Sequence, residues 1–469
     1  MEDSFYHQGA KGSILLARLR GAAGALLLLV GLLGCRNIPH KAEQPPEPPY
    51  QQIQESIEAG DAQAALRSYQ EYLNAFPDSP VDRLLLARLL LAAGYFEQAR
   101  NELSALSAES GPTIEVLLTL SHLERMSGNP ERERQLLEQA LEIDPGNAAV
   151  LAALGMLQLE AEQYDQATIS FQGALTADPD EPTALRGLGL VYLNQERYGE
   201  SIEFFGRAIA TDPDNDLNYA DRARARAAAK DRLGAVEDLS TAIEGNPTFY
   251  WNYIDRGRQY LQLRMLKEAE EDFSKAIALD PELFLAYVYR AGLYDRLDRR
   301  PQAIADYSRV LELNPDYFFA YAPLAVLYYL EGIWQSAAEA FRKSYFFEPE
   351  EPSYALLAAL SWMQLGENEK AKEYLWERLG DLPQDSWILL IARYYLDPVL
   401  EARTIDAANK ESNKLKRGQM LFYIASRLLL EDRVETALRY LLLVKDIDRR
   451  GLPEKRIAEH LLARFGYED

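Results

Sequence analysis

From Tyr50 onward the chain is built from paired stretches in which apolar residues recur at spacings of three and four. That spacing predicts helices with one apolar face. The pair repeats every 34 residues, and a polar phrase marks each repeat: EIDPGN, TADPDE, ATDPDN, EGNPTF, ALDPEL, ELNPDY and FEPEEP. The central prolines are Pro145, Pro179, Pro213, Pro247, Pro281, Pro315 and Pro349, each 34 after the last. Proline cannot continue a helix, so each phrase predicts the close of a second helix and a turn into the next unit.

Units counted in this register start at residues 46, 80, 114, 148, 182, 216, 250, 284, 318 and 352. Position 8 is small in seven of them: Gly155, Gly189, Ala223, Gly257, Ala291, Ala325 and Ala359. So is position 20, twelve before the proline: Ala167, Ser201, Ala235, Ala269, Ala303 and Ala337. Small residues at both places let two helices approach closely. Tyr192, Tyr260, Tyr294 and Tyr328 recur at position 11. This pattern resembles the tetratricopeptide repeat, or TPR. The resemblance implies an all-α solenoid of helix-turn-helix units, wound as a right-handed superhelix. In that family the first helix of each unit lines a concave groove, and positions 2, 5, 9, 12 and 13 tend to touch ligand. One unit cannot bury its own apolar face, so units must stack. The array is expected over residues 50–385, as about ten units with the first truncated by prolines. The 114 unit carries Glu133 where alanine is expected and is read as weaker.

After Asp385 the register breaks. SWILLIARYYLDP predicts a helix stopped at Pro398. A degenerate unit fits 418–451, with Ala425 at position 8 and Ala437 at position 20. LPEKRIAEHLLARF predicts one more amphipathic helix. Residues 386–469 are expected to form a C-terminal helical cap over the last apolar face.

The N-terminal region has a different character. AAGALLLLVGLLG is an apolar run of 13 residues behind Lys11, Arg18 and Arg20. A spanning helix needs about 20 residues, so this run has the shape of a secretory signal. It ends in Leu32-Leu33-Gly34-Cys35, which resembles a bacterial lipobox. The resemblance implies cleavage before Cys35, lipidation of that residue, and anchoring in the bacterial envelope. Arg36 rather than aspartate follows the cysteine, which in such lipoproteins points to the outer membrane. Residues 1–35 are thus read as a signal and 36–49 as a proline-rich spacer, with Pro45, Pro46, Pro48 and Pro49 favouring extended chain.

Charge narrows the partners. The net charge is -23 over 469 residues, and residues 399–469 are close to balanced, so the acidity lies in the repeats. A body of this sign repels nucleic acid, which makes a nucleic-acid partner unexpected.

Against this background NYADRARARAAAKD, residues 218–231, is conspicuously basic. Register separates its arginines. Arg222 is at position 7, as are Arg256 and Arg290, where neighbouring units carry leucine. Position 7 faces the second helix, so a lone arginine there would be a costly buried charge. The same three units alone carry aspartate at position 23: Asp238, Asp272 and Asp306. The co-occurrence predicts three ion pairs, Arg222–Asp238, Arg256–Asp272 and Arg290–Asp306. Arg224 and Arg258 are at position 9, Arg186 at position 5 and Arg296 at position 13, with Trp251, Phe319 and Tyr329 also at groove positions. Two readings stand: a basic-aromatic groove for an acidic or extended peptide, or surface arginines satisfied by Asp221 and Asp255 three residues earlier. Arg226 replaces the usual tyrosine and has no partner legible in the sequence.

Catalytic and cofactor chemistry find little support. The four histidines are His7, His40, His122 and His460, and no two share a helical face. HExxH, paired-cysteine, EF-hand, P-loop and GxSxG patterns are absent from the sequence. The expected class is a non-catalytic scaffold or adaptor binding protein or extended peptide, without metal or cofactor. A periplasmic accessory of a solute transport system and a surface-exposed adhesin are the alternatives.

Overall fold

The computed structural model describes residues 47–77, 81–449 and 451–467. The signal, Cys35 and most of the spacer lie outside the described residues. All regular structure among the described residues is helical. None of these helices is long and apolar enough to cross a membrane.

Helices alternate in the predicted pairs, such as Ala148–Glu160 with Tyr164–Ala177, and Pro182–Asn194 with Tyr198–Thr211. Their boundaries follow the repeat. Second helices end at Ile143, Ala177, Thr211, Gly245, Leu279, Leu313 and Phe347, two residues before the prolines. First helices are frequently capped by a side chain just before them: Thr113, Asn147, Glu181 and Asn215 each accept an N–H from the first turn.

The turn between paired helices rests on one residue at position 15, always with positive φ. It is glycine in some units (Gly60, Gly94, Gly128, Gly332, Gly366) and Glu162, Glu196, Lys230, Arg264 and Asp298 in the others. Asp432, φ 56°, holds the same position in the unit at 418, where Ala425 and Ala437 are fully buried. That stretch shares the turn conformation and the buried small residues of the repeats before it.

Small residues at position 8 make room for a ring at position 24. A Cβ on Gly155 would lie 2.6 Å from the Phe171 ring, and one on Gly189 2.6 Å from that of Phe205. Phe171, Phe205, Phe273 and Phe341 are fully buried in this way. Ser201 fits at position 20 because its hydroxyl donates to the Gly189 carbonyl at 2.8 Å. Glu133 fits there for another reason. It is 2 % exposed and receives Arg125 Nη2 at 2.6 Å, so a charge pair from position 12 fills the place of an alanine. Burial still pushes the Glu133 carboxyl up, against the pull of Arg125.

The chain forms two compact units that divide between Lys230 and Asp231. In the first unit the first helices of consecutive repeats from Arg83 onward touch one another, as do those of the 250 and 284 repeats in the second, whereas second helices meet at most marginally. The first-helix side is thus the tighter, inner side of each array.

Candidate binding surface on the inner face

In the first compact unit the inner face is polar. Asp221, at position 6 of helix Asp216–Ala228, is 2 % exposed. Its carboxylate receives Arg186 Nε at 2.7 Å from the preceding repeat and a second bond from Arg224 on its own helix. Two guanidinium groups converge on one buried carboxylate, each about one-third exposed (32 % and 34 %). Position 6 is occupied differently three repeats back. There Thr119 accepts Arg88 Nε at 3.5 Å, and among the described residues Arg88 forms no ion pair. Burial pulls the Arg88 guanidinium below its ordinary pKa, against the weaker opposing charges of Asp82 and Glu115. Three residues beyond Thr119, on the same helix face, is His122. Its Nε2 is buried without a hydrogen-bond partner. Burial, then the charge of Arg125, lowers it to about 4, so at neutral pH His122 is an uncharged ring. Glu181, capping the helix that carries Arg186, is 8 % exposed, and burial lifts it to about 7.

Arg222 and Arg226 belong to this unit. The Arg222 guanidinium lies 5.8 Å over the Tyr219 ring, and Arg226 is in the last turn of its helix, where its charge suits the helix dipole. Asp238 belongs to the second compact unit and is 3 % exposed.

In the second compact unit Arg256 donates to both Asp272 oxygens, Nε at 2.9 Å and Nη2 at 2.8 Å, and its Nη1 reaches Ser240 Oγ at 3.0 Å. Arg290 repeats the arrangement on Asp306, at 2.8 and 2.9 Å, and on Ser274 Oγ at 3.1 Å. The serines, one repeat earlier, extend each pair into an inter-repeat bridge. Burial raises the Asp272 carboxyl even against Arg256, which shows how costly the site is for a charge. Arg258 bonds Asp255 at 3.5 Å and lies 5.6 Å over the Tyr289 ring, 45 % exposed. Arg296 is exposed in the last turn of its helix.

Here the inner face is covered by the chain itself. The final helix, Pro453–Arg464, packs against the first helix Tyr321–Leu330 and against Lys414–Leu430. Arg456 bonds both oxygens of Asp295, at position 12 and 161 residues away, with Nη1 at 2.9 Å. Ile457 and Ala458 are fully buried. Glu454, also fully buried, accepts Gln419 Nε2 at 3.1 Å and the Tyr423 hydroxyl at 3.0 Å, and burial pushes its carboxyl up. Tyr329 accordingly belongs to the core rather than to an open groove. It is 1 % exposed, edge-on to Trp334 at 4.8 Å, and its hydroxyl accepts Gln364 Nε2 at 3.4 Å. Trp251, 6 % exposed, is likewise largely buried, with Tyr250 against its ring at 5.5 Å. Phe319 is 39 % exposed within a cluster of aromatic rings.

Sequence reasoning did not anticipate Arg88 as a notable group, the Arg125–Glu133 pair or Glu454. The first had a usable signal, a basic residue at position 9. Among the described residues no three histidine, cysteine or acidic side chains are placed to hold a metal ion.

Three family models, each described as tetratricopeptide repeat, match the chain: one at residues 56–120 and 125–169, one at 152–216 and one at 252–283. No curated protein matches it. Similar solved structures include YrrB, described as a TPR protein with an unusual peptide-binding site. It is 22 % identical, over 39 % of this chain and 95 % of that one, with a TM-score of 0.35. PilF of Pseudomonas aeruginosa is 18 % identical, over 43 % and 92 %, with a TM-score of 0.40. A tetratricopeptide repeat protein of Parabacteroides merdae is 19 % identical, over 51 % and 95 %, with a TM-score of 0.38.

Proposed function

We propose, from the premise that this chain is a tetratricopeptide-repeat protein, that it holds an acidic or extended segment of a partner on the inner face of its first compact unit while tethered to a bacterial envelope membrane. The coarse function is that of a protein-protein interaction scaffold. The observation that carries the finer reading is the cluster of Arg186 and Arg224 on a single buried Asp221. Both guanidinium groups keep about a third of their surface in water, where a ligand anion can reach them. Arg88, half-buried and without an ion pair among the described residues, extends the same preference. Planar guanidinium forks match carboxylates in geometry and charge. The second compact unit offers less, because its own final helix occupies the inner face around Asp295 and Tyr329.

A photoreactive residue at Leu190, position 9 of helix Pro182–Asn194, tests the binding face in intact cells. The expected result is a discrete adduct that disappears in the Arg186→Met, Arg224→Met double variant. Adducts only from a probe at Ile169, which is 70 % exposed on a second helix, would overturn the reading. The anchor is the second half of the proposal. Cys35→Ser is expected to move the protein from the membrane fraction to the soluble one, since stable anchoring needs lipid chains at about 0.8 kcal/mol per buried methylene. A Cys35→Ser protein that stays with outer-membrane markers would remove that half.

A further inference from the structure

The second compact unit carries another surface that the inner face does not explain. Six rings meet where the first helix of the 318 repeat begins and its second helix ends. Phe318 and Phe319 are 4.1 Å apart between centroids, Phe318 and Phe347 5.6 Å, and Phe346 and Phe347 5.2 Å. Tyr317 adds an edge contact to Phe319 at 5.6 Å, and Tyr321 stacks on Phe347 at 5.9 Å. Tyr317 also packs on the neighbouring core, but Phe346 is 73 % exposed, whereas Phe341 on the same second helix is fully buried. A contiguous aromatic surface left in water marks a contact site. Its rim is acidic. Asp316 precedes Tyr317, and Glu348, Glu350 and Glu351 follow Phe347. Among the described residues none of these four carboxylates takes part in an ion pair. Burial, then the charges of Glu350 and Glu351, pushes the Glu348 carboxyl up, so the rim holds like charges that no cation relieves.

We propose that this aromatic surface docks a cationic, partly apolar segment of a partner protein, with lysine or arginine stems lying on the rings and their heads on the acidic rim. The rim excludes two other occupants by charge, an acidic peptide and an anionic lipid surface. The site stands apart from the first unit's inner face, so it survives the failure of that reading.

The test titrates the full chain into a fluorescein-labelled heptapeptide of alternating Lys-Leu-Arg composition, read by anisotropy at low and high salt. Saturable binding is expected. Phe346→Ser should weaken it by about tenfold or more, as removing a central aromatic anchor does. The Glu350→Lys, Glu351→Lys pair should weaken it similarly and flatten its salt dependence. Phe346 projects into solvent, so an unchanged melting temperature separates lost binding from lost fold. Equal affinity of the Phe346→Ser protein overturns the proposal. So does equal binding of a glutamate counterpart peptide, preferential binding to phosphatidylglycerol vesicles, or the absence of saturable binding.

Discussion

The two compact units use one repeat to different ends. In the first, Arg186 and Arg224 meet on one buried carboxylate, Arg88 forms no ion pair among the described residues, and the face remains partly solvated. In the second, arginines point toward the second helices of their own repeats, each gripped by one aspartate and one serine, and the inner face is closed by the chain's last helix. The same residue type therefore serves recognition at positions 5 and 9 and assembly at position 7. What differs is solvent: Arg186 and Arg224 keep about a third of their surface in water, Arg256 and Arg290 under a fifth. A guanidinium that is buried and gripped at both forks has little left to offer a ligand anion.

The largest expected effect breaks that compensation. Asp272→Ala leaves the largely buried Arg256 with no carboxylate and only Ser240 as a hydrogen-bond partner, and should cost about 3–5 kcal/mol. The double variant Arg256→Met, Asp272→Leu should cost far less, because two matched apolar side chains replace a pair whose desolvation offsets its attraction. Urea unfolding of both proteins decides this. A double variant less stable than the single would show that the pair contributes more than its burial costs. The equivalent Arg224→Met change in the first unit should be within about 1 kcal/mol of wild type, since that guanidinium is partly exposed and Asp221 keeps Arg186.

Next in size is the closure of the second unit's inner face. Ile457→Ala opens a cavity at a fully buried position of the last helix and should cost about 2–5 kcal/mol. Hydrogen exchange should localise the loss to the region from Asp231 onward and leave the first helices before Lys230 protected as in wild type. Uniform loss across both units would mean that the chain unfolds as one cooperative body.

Much of this was legible in the sequence because it is local and periodic. Seven prolines at a constant spacing give the unit, the small residues at positions 8 and 20 give helix packing, and the joint appearance of arginine at 7 and aspartate at 23 points to one environment. What stayed hidden depends on distance along the chain. Asp295 and Arg456 are 161 residues apart, and nothing in either local pattern selects the other. Tyr329 looked like a groove residue for this reason: its register is that of an open face, and a segment far downstream covers it. Glu133 looked like a defect in its repeat because the compensating Arg125 is on another helix, at a position whose usual occupants are apolar. Cys35 remains where the sequence left it, outside the described residues.

A smaller effect tests the electrostatics of the first unit. Glu181 has its pKa raised from 4.5 to about 7 by burial. A raised folded-state value means that the contribution to stability is full below about 4.5 and is lost as pH rises through about 7. The shift corresponds to roughly 3–4 kcal/mol, at about 1.4 kcal/mol per pH unit. Glu181→Gln keeps an oxygen to cap the Ala184 N–H but cannot ionise. Relative to wild type, it should therefore gain stability between pH 5 and pH 8. Parallel pH profiles for the two proteins would mean that Glu181 titrates in its ordinary range.

The smallest effect concerns the turns, and it separates repeats within the first unit. Gly94 and Gly128 take positive φ at position 15 without cost, while Glu162 takes φ 58° and Glu196 φ 61° with a Cβ. Left-handed backbone costs a residue with a side chain about 1 kcal/mol, and glycine avoids that cost while adding freedom to the unfolded chain. Glu162→Gly should thus stabilise by up to about 1 kcal/mol, whereas Gly128→Glu at the equivalent turn should destabilise by a similar amount. A Cβ on Gly128 meets no atom within 4 Å, so backbone conformation alone sets its cost, and the two changes should be near mirror images in urea unfolding. If both destabilise, the Glu162 side chain contributes something at its turn that outweighs the backbone strain, and position 15 is not interchangeable between repeats.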